Sequence, residues 1–79
     1  MDVRFESESR RGAIPGSLSV PLHRLRARLA EIPPGPVLVY CQTGLRSSTA
    51  ASLLELADRT EVLDLIGGFA AWNLDARTA

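Results

Sequence analysis

The chain predicts a small α/β fold, a parallel sheet flanked by helices, and three observations carry that reading. An uninterrupted apolar run, Val37-Leu38-Val39-Tyr40, is too short for a helix and reads as a strand buried on both faces. A second segment, Glu61-Val62-Leu63-Asp64-Leu65-Ile66, reads as another strand and stops at Gly67-Gly68. Between them lies an Ala/Leu-rich stretch of helical composition. Strands alternating with helices imply parallel pairing, because each crossover returns the chain to the same end of the sheet.

Taken in order, Asp2-Val3-Arg4 reads as the tail of a strand. Residues 5 to 13 are polar and charged, and Ile14-Pro15-Gly16 marks a turn. Leu18-Ser19-Val20 is a short alternating strand closed by Pro21. Leu22, Leu25, Leu29 and Ile32 recur at intervals of three, four and three, which predicts one helix over residues 22–31. Arg24, Arg26 and Arg28 fall mostly off that stripe, on a solvated face. Pro33-Pro34-Gly35-Pro36 ends the helix. After the central strand comes Cys41-Gln42-Thr43-Gly44-Leu45-Arg46, then a helix starting near Arg46 and ending near Ala57. A last helical turn covers Phe69 to Trp72. Repeats and low-complexity segments are absent from the sequence.

Length and composition narrow the function classes. The 79 residues make one small domain, residues 1–79, at the lower edge of what a single core sustains. One cysteine gives no intrachain disulfide, and one histidine gives no Cys/His zinc cluster, so no metal or cofactor is expected. Nine Arg balance nine Asp and Glu, which argues against a nucleic-acid partner. No apolar run approaches membrane-spanning length, and no basic-then-apolar leader opens the chain, so neither a membrane partner nor secretion is expected. A lone free thiol fits a reducing compartment, most simply the cytoplasm.

Chemistry in a parallel sheet gathers beyond the carboxyl ends of the strands, at helix N-termini. Cys41 occupies that place. A helix N-terminus presents unpaired N–H groups and partial positive charge, which favour a thiolate over a thiol. Gly44 lets the loop turn its amides inward, and Arg46 adds a permanent cation. The magnitude decides the matter. A thiol of pKa about 8.5 is roughly 3% ionised at pH 7, and lowering it to about 6.5 raises the thiolate about 25-fold. That takes about 2.7 kcal/mol, within reach of a helix end and a cation. The bland alternative is a small buried hydrophobe, and the strand-Cys-loop-Gly-Arg-helix order argues against it.

These motifs resemble the rhodanese-like family. Asp2-Val3-Arg4 resembles its opening motif, and Gly12, Ile14, Pro15 and Gly16 resemble its second segment. Cys41 to Arg46 is similar to the six-residue sulfurtransferase loop, and Gly67-Gly68-Phe69-Ala70-Ala71-Trp72 to the closing motif. Ala13 stands where the family often has His, and Ser9 where an aromatic is common, so that corner of the core is expected to be loose. The first strand and helix of the family pattern have no counterpart before Asp2, and we expect a minimal or N-terminally truncated form.

The resemblance implies sulfur transfer through a persulfide on Cys41, with Gln42, Thr43, Gly44, Leu45 and Arg46 binding substrate. It implies a small sulfur donor such as thiosulfate, and a thiol or cyanide acceptor, with an acceptor protein as a further partner. Non-catalytic adaptor modules and sulfur-relay domains of larger proteins are the alternatives. Phosphatases of this fold have five residues between Cys and Arg, and here there are four. Arg46 either positions donor oxygens or fixes the loop by bonding its carbonyls; Leu45 faces solvent or acceptor; Ser47 is expected to cap the helix. Arg4 and Asp2 are expected to pair, with Arg4 facing the donor as the alternative, and His23 to be solvated. Phe69 and Trp72 close the core, and Gly67-Gly68 permits close backbone approach to the site.

Overall fold

The computed structural model describes the backbone of residues 1–78 and the side chains of residues 1–74. Its elements are helix α1 (Glu6–Arg11), two 3-10 segments (Leu22–Arg24 and Arg26–Glu31), strand β1 (Val37–Val39), helix α2 (Leu45–Leu56), strand β2 (Val62–Asp64) and helix α3 (Gly68–Thr78). The small α/β expectation holds, with a two-stranded parallel sheet in which Val37 pairs with Val62 and Val39 with Asp64. Two further segments extend it by single parallel bridges, Asp2 with Tyr40 and Asp2 with Ser19. The Val3 amide bonds the Tyr40 carbonyl at 3.0 Å and the Val20 amide bonds the Asp2 carbonyl at 2.9 Å.

The core gathers Val3, Val20, Leu25, Ile32, Val37, Val39, Ala50 and Leu54. α2 turns Ser47, Ala50 and Leu54 inward, a three-then-four spacing that keeps one face of the helix buried. Only one face of β1 is covered. Leu38 is 44% exposed, and its register partner Leu63 is 63% exposed, so the sequence expectation of a strand buried on both faces is corrected.

The predicted helix over 22–31 is two 3-10 pieces instead. Leu22 to Leu25 and Leu29 to Ile32 are steps of three, the repeat of a 3-10 turn. The step of four between them spans a kink at Arg28, whose φ is −115°. The expected strand at Leu18–Val20 shortens to the bridge at Ser19, and residues 5–13 contain α1, which their polarity did not announce. No helix among the described residues is long and apolar enough to cross a membrane.

Candidate functional site

Cys41 leaves the carboxyl end of β1 and is 1% exposed, beneath the loop that leads into α2. Gly44, the residue before α2, has φ +123°, outside the range side chains favour, and this turns its amide onto the sulfur at 3.0 Å. The amides of Thr43 and Ser47 also act on Sγ. Burial pushes the Cys41 thiol up; the Ser47 hydroxyl and the amides of Ser47, Gly44 and Thr43 outweigh it and hold the thiol below its ordinary value.

α3 aims part of this ring from outside. The Phe69 amide bonds the Cys41 carbonyl at 2.8 Å, and the Ala70 amide bonds the Gln42 carbonyl at 3.0 Å. A trans peptide is planar, with its N–H and C=O pointing opposite ways. Pinning the Gln42 oxygen on α3 therefore directs the Thr43 N–H away from α3, to the sulfur side. Gly68, at φ +62°, makes this contact possible: a Cβ there would lie 2.5 Å from the Cys41 oxygen and 2.8 Å from the Gln42 carbonyl. The close approach expected of the double glycine is thus present.

The remaining predicted residues fall around this ring. The Gln42 side chain turns back to accept from Arg4 Nη1 at 3.0 Å. Thr43 is exposed, and Leu45 is 82% exposed at the mouth of the loop. Arg46 is held bidentate by Glu8 of α1, at 2.6 and 2.9 Å, with its guanidinium 5.6 Å from the Phe5 ring. Its cation therefore fastens α1 to the loop, a partner 38 residues distant that the sequence did not suggest. The hydrogen bond to Glu8 is the chief reason that the Arg46 guanidinium is held above its ordinary value.

Ser47 is not the cap. Gly44 takes that position, and the Ser47 hydroxyl bonds the Gly44 carbonyl at 3.1 Å and Asp64 Oδ1 at 2.6 Å. Asp64 was missed by the sequence reading, and its one signal is a lone carboxylate inside Val62-Leu63-Asp64-Leu65-Ile66.

Arg4 and Asp2 pair as expected, almost fully buried and 2.8 Å apart. Arg4 spends its other donors on Gln42 and on the Gly12 carbonyl, and its guanidinium lies 4.3 Å from the Phe69 ring centre. Ser9, where a loose corner was expected, donates to Asp2 Oδ2 at 2.8 Å. Desolvation pushes the Asp2 carboxyl up, and bonds from Arg4 and Ser9 bring it net below the ordinary range. Beside the loop, a cavity of about 330 Å³ is lined by Arg4, Glu8, Arg11, Gly12, Gln42 and Phe69. His23 is exposed as expected, with Phe5 as its ring neighbour at 5.7 Å, and Phe69 packs between Tyr40 and Trp72.

A family model for the rhodanese-like domain matches residues 1–75. The chain belongs to the rhodanese-like family. Among its relatives is a protein named sulfurtransferase from Allochromatium vinosum, 38% identical over 73 residues, which cover 91% of this chain and 68% of the relative. Against curated relatives it spans 68% of one and 59% of another. Among solved structures, a rhodanese-related protein from Thermoplasma volcanium superposes with a TM-score of 0.87 at 28% identity, over 95% of this chain and 75% of that one. A NAD-dependent persulfide reductase from A. fulgidus matches at 40% identity and a TM-score of 0.77, over 90% of this chain but 13% of that chain. This rhodanese-like domain thus matches most of one solved chain and one segment of a longer one.

Proposed function

We propose that this rhodanese-like domain is a sulfurtransferase that carries sulfane sulfur on Cys41. The observation that supports it most directly is the Gly44 amide aimed at Sγ from 3.0 Å, backed by the Thr43 and Ser47 amides. Donors fixed in that way stabilise a sulfur anion in the resting enzyme and the charge that returns to Sγ at hand-off.

In the first step the Cys41 thiolate attacks the outer sulfur of thiosulfate or a related donor. The donor's S–S bond breaks, its electron pair leaves with sulfite, and a persulfide forms. In the second step a thiolate or cyanide attacks the outer sulfur, the persulfide bond breaks, and Sγ regains its electron pair. Neither step calls for a general acid, because both leaving groups are stable anions. Gln42, Thr43 and Gly44 form the wall against which the outer sulfur rests. Leu45 presents an apolar surface to the acceptor. Arg46 keeps the wall in place through Glu8.

A sulfur-relay role within a longer polypeptide is the second reading. It is favoured by the likeness to one segment of the persulfide reductase. There the donor is a protein or small-molecule persulfide, and Cys41 works identically.

The test is intact-mass analysis after incubation with thiosulfate and, separately, with a low-molecular-weight persulfide. One added sulfur on the wild type, removed by cyanide as thiocyanate and absent from Cys41→Ala, is the expected result. Loading by the persulfide alone selects the relay. No added sulfur from either donor, or equal behaviour of wild type and Cys41→Ala, overturns sulfur transfer, and turnover of p-nitrophenyl phosphate would then select a phosphatase.

A further inference from the structure

Ser47 lies in the first turn of α2, 0% exposed, with its hydroxyl between two groups that compete for it. Cys41 Sγ is 3.5 Å away and is placed to donate its S–H to Ser47 Oγ. Asp64 Oδ1, at the end of β2, is 2.6 Å away on the other side. A hydroxyl has one proton and two acceptor lone pairs. A carboxylate is the stronger acceptor, and O–H···O⁻ bonds are about twice as strong as neutral ones. The proton therefore points to Asp64 in preference to the Gly44 carbonyl at 3.1 Å, and the lone pairs face the sulfur. A thiol can donate into those lone pairs, but a thiolate gains nothing from them. To assist a thiolate, the hydroxyl must turn from the carboxylate to the sulfur. Asp64 is exposed, so water takes over its released oxygen.

We propose that Asp64 is a positioning residue for the Cys41 nucleophile, acting through a Ser47 hydroxyl that swings between carboxylate and sulfur. With a thiol or a persulfide at Cys41 the hydroxyl rests on Asp64; with a thiolate it turns to Sγ. This inference rests on Cys41 as the sulfur carrier. Its consequence is restraint: Asp64 offsets part of what the amide ring does and keeps the thiolate from becoming too stable. An over-stabilised thiolate is a poor nucleophile, because intrinsic reactivity falls with basicity.

The other charged groups near Cys41 do not duplicate this role. Arg46 on α2 has a charge interaction with Cys41, but its guanidinium is committed to Glu8 of α1, as that of Arg4 is to Asp2, each through short hydrogen bonds. From α3, the described contacts to the Cys41 segment are main-chain amides and the Phe69 ring beside Arg4.

A double-mutant cycle on the ionisation of Cys41 tests the device, with iodoacetamide alkylation rates followed across pH. Asp64→Asn is expected to lower the ionisation midpoint by about half a unit to one unit, a three- to tenfold gain in thiolate below both midpoints. Ser47→Ala is expected to raise it by a similar amount. In the Ser47→Ala background, Asp64→Asn is expected to produce no shift. An unchanged midpoint in Asp64→Asn overturns the proposal. So does an Asp64→Asn shift of equal size with and without Ser47, because the carboxylate then acts through space.

Should Ser47→Ala fail to fold, the Asp64→Asn shift is measured at low salt and at about 1 M salt. A through-space effect shrinks with screening, and one relayed by the hydroxyl persists. The alkylation assay uses no sulfur donor. A wild type that never takes up sulfur, with the cycle behaving as expected, refutes sulfur transfer alone. Normal persulfide formation with no coupling in the cycle refutes the Asp64 role alone.

Discussion

Replacing Gly68 with alanine perturbs the site from outside it. The new Cβ would stand 2.5 Å from the Cys41 oxygen, where ordinary contact begins at 3.4 Å, so the loop must retreat by roughly 0.9 Å. That movement breaks or strains two hydrogen bonds, Phe69 to Cys41 at 2.8 Å and Ala70 to Gln42 at 3.0 Å, each worth about 1 kcal/mol net. The φ of +62° adds about 1–2 kcal/mol for any residue with a side chain. The sum is about 3–4 kcal/mol, which for a domain of this size lowers Tm by about 12–30 °C. Gly16→Ala is the control, because its φ is +82° but nothing lies within 4 Å. It should cost only the conformational part, about 1–2 kcal/mol. Thermal unfolding followed by circular dichroism measures both, and the alkylation midpoint of Cys41 reports on the loop. Gly68→Ala is expected to melt well below Gly16→Ala and to raise the thiol toward its ordinary value. Equal melting of the two variants, with an unshifted thiol, would refute the claim that α3 holds the loop.

Other expectations follow from the same bonds. The Tyr40 hydroxyl accepts the Ile14 amide at 3.1 Å and lies 2.7 Å from Ser17 Oγ, whose own proton goes to the Ile14 carbonyl at 2.6 Å. Tyr40→Phe strands that amide and should destabilise by about 1–3 kcal/mol in urea unfolding while leaving Cys41 alkylation unchanged. Asp2→Asn leaves the buried Arg4 guanidinium without its counter-charge and should cost about 3–5 kcal/mol, enough in a domain this small for circular dichroism to show a largely unfolded chain. Glu8 is held below its ordinary value of 4.5 by its hydrogen bond to Arg46, and Asp2, despite its burial, falls below 3.8. A carboxyl depressed in the folded state stabilises above its unfolded pKa and loses that contribution as pH falls toward the folded one. The contribution of these two carboxyls should therefore be flat from pH 7 to about 5 and decline below about 4.5. Glu8→Gln should flatten the first part of that decline in urea titrations.

How much of this was legible in the sequence depends on the range of each interaction. β1, the helix after Cys41 and the place of the cysteine were readable because apolar patterning and strand-loop-helix order are local. α1 was not, because a six-residue polar helix has no stability of its own; bonds from Arg46 to Glu8 and from Ser9 to Asp2 fasten it. The stripe from Leu22 to Ile32 marked the buried face correctly. Its two steps of three meant 3-10 turns, and a period alone does not separate those from one helix. Arg46 was visible as a cation, but its partner lies 38 residues back. Ser47 looked like a cap because serine often is one; the positive φ of Gly44 moved the helix start upstream and released the hydroxyl to Asp64.

The order of synthesis gives the α3 contacts a further meaning. Cys41 leaves the ribosome well before Phe69 and Ala70, whose amides orient the peptide groups beside it. Until those residues emerge and dock, the nascent chain carries a thiol without its full set of aligned donors. The peptide groups beside the sulfur thus come into line only once α3 has docked, after the sulfur itself has already emerged.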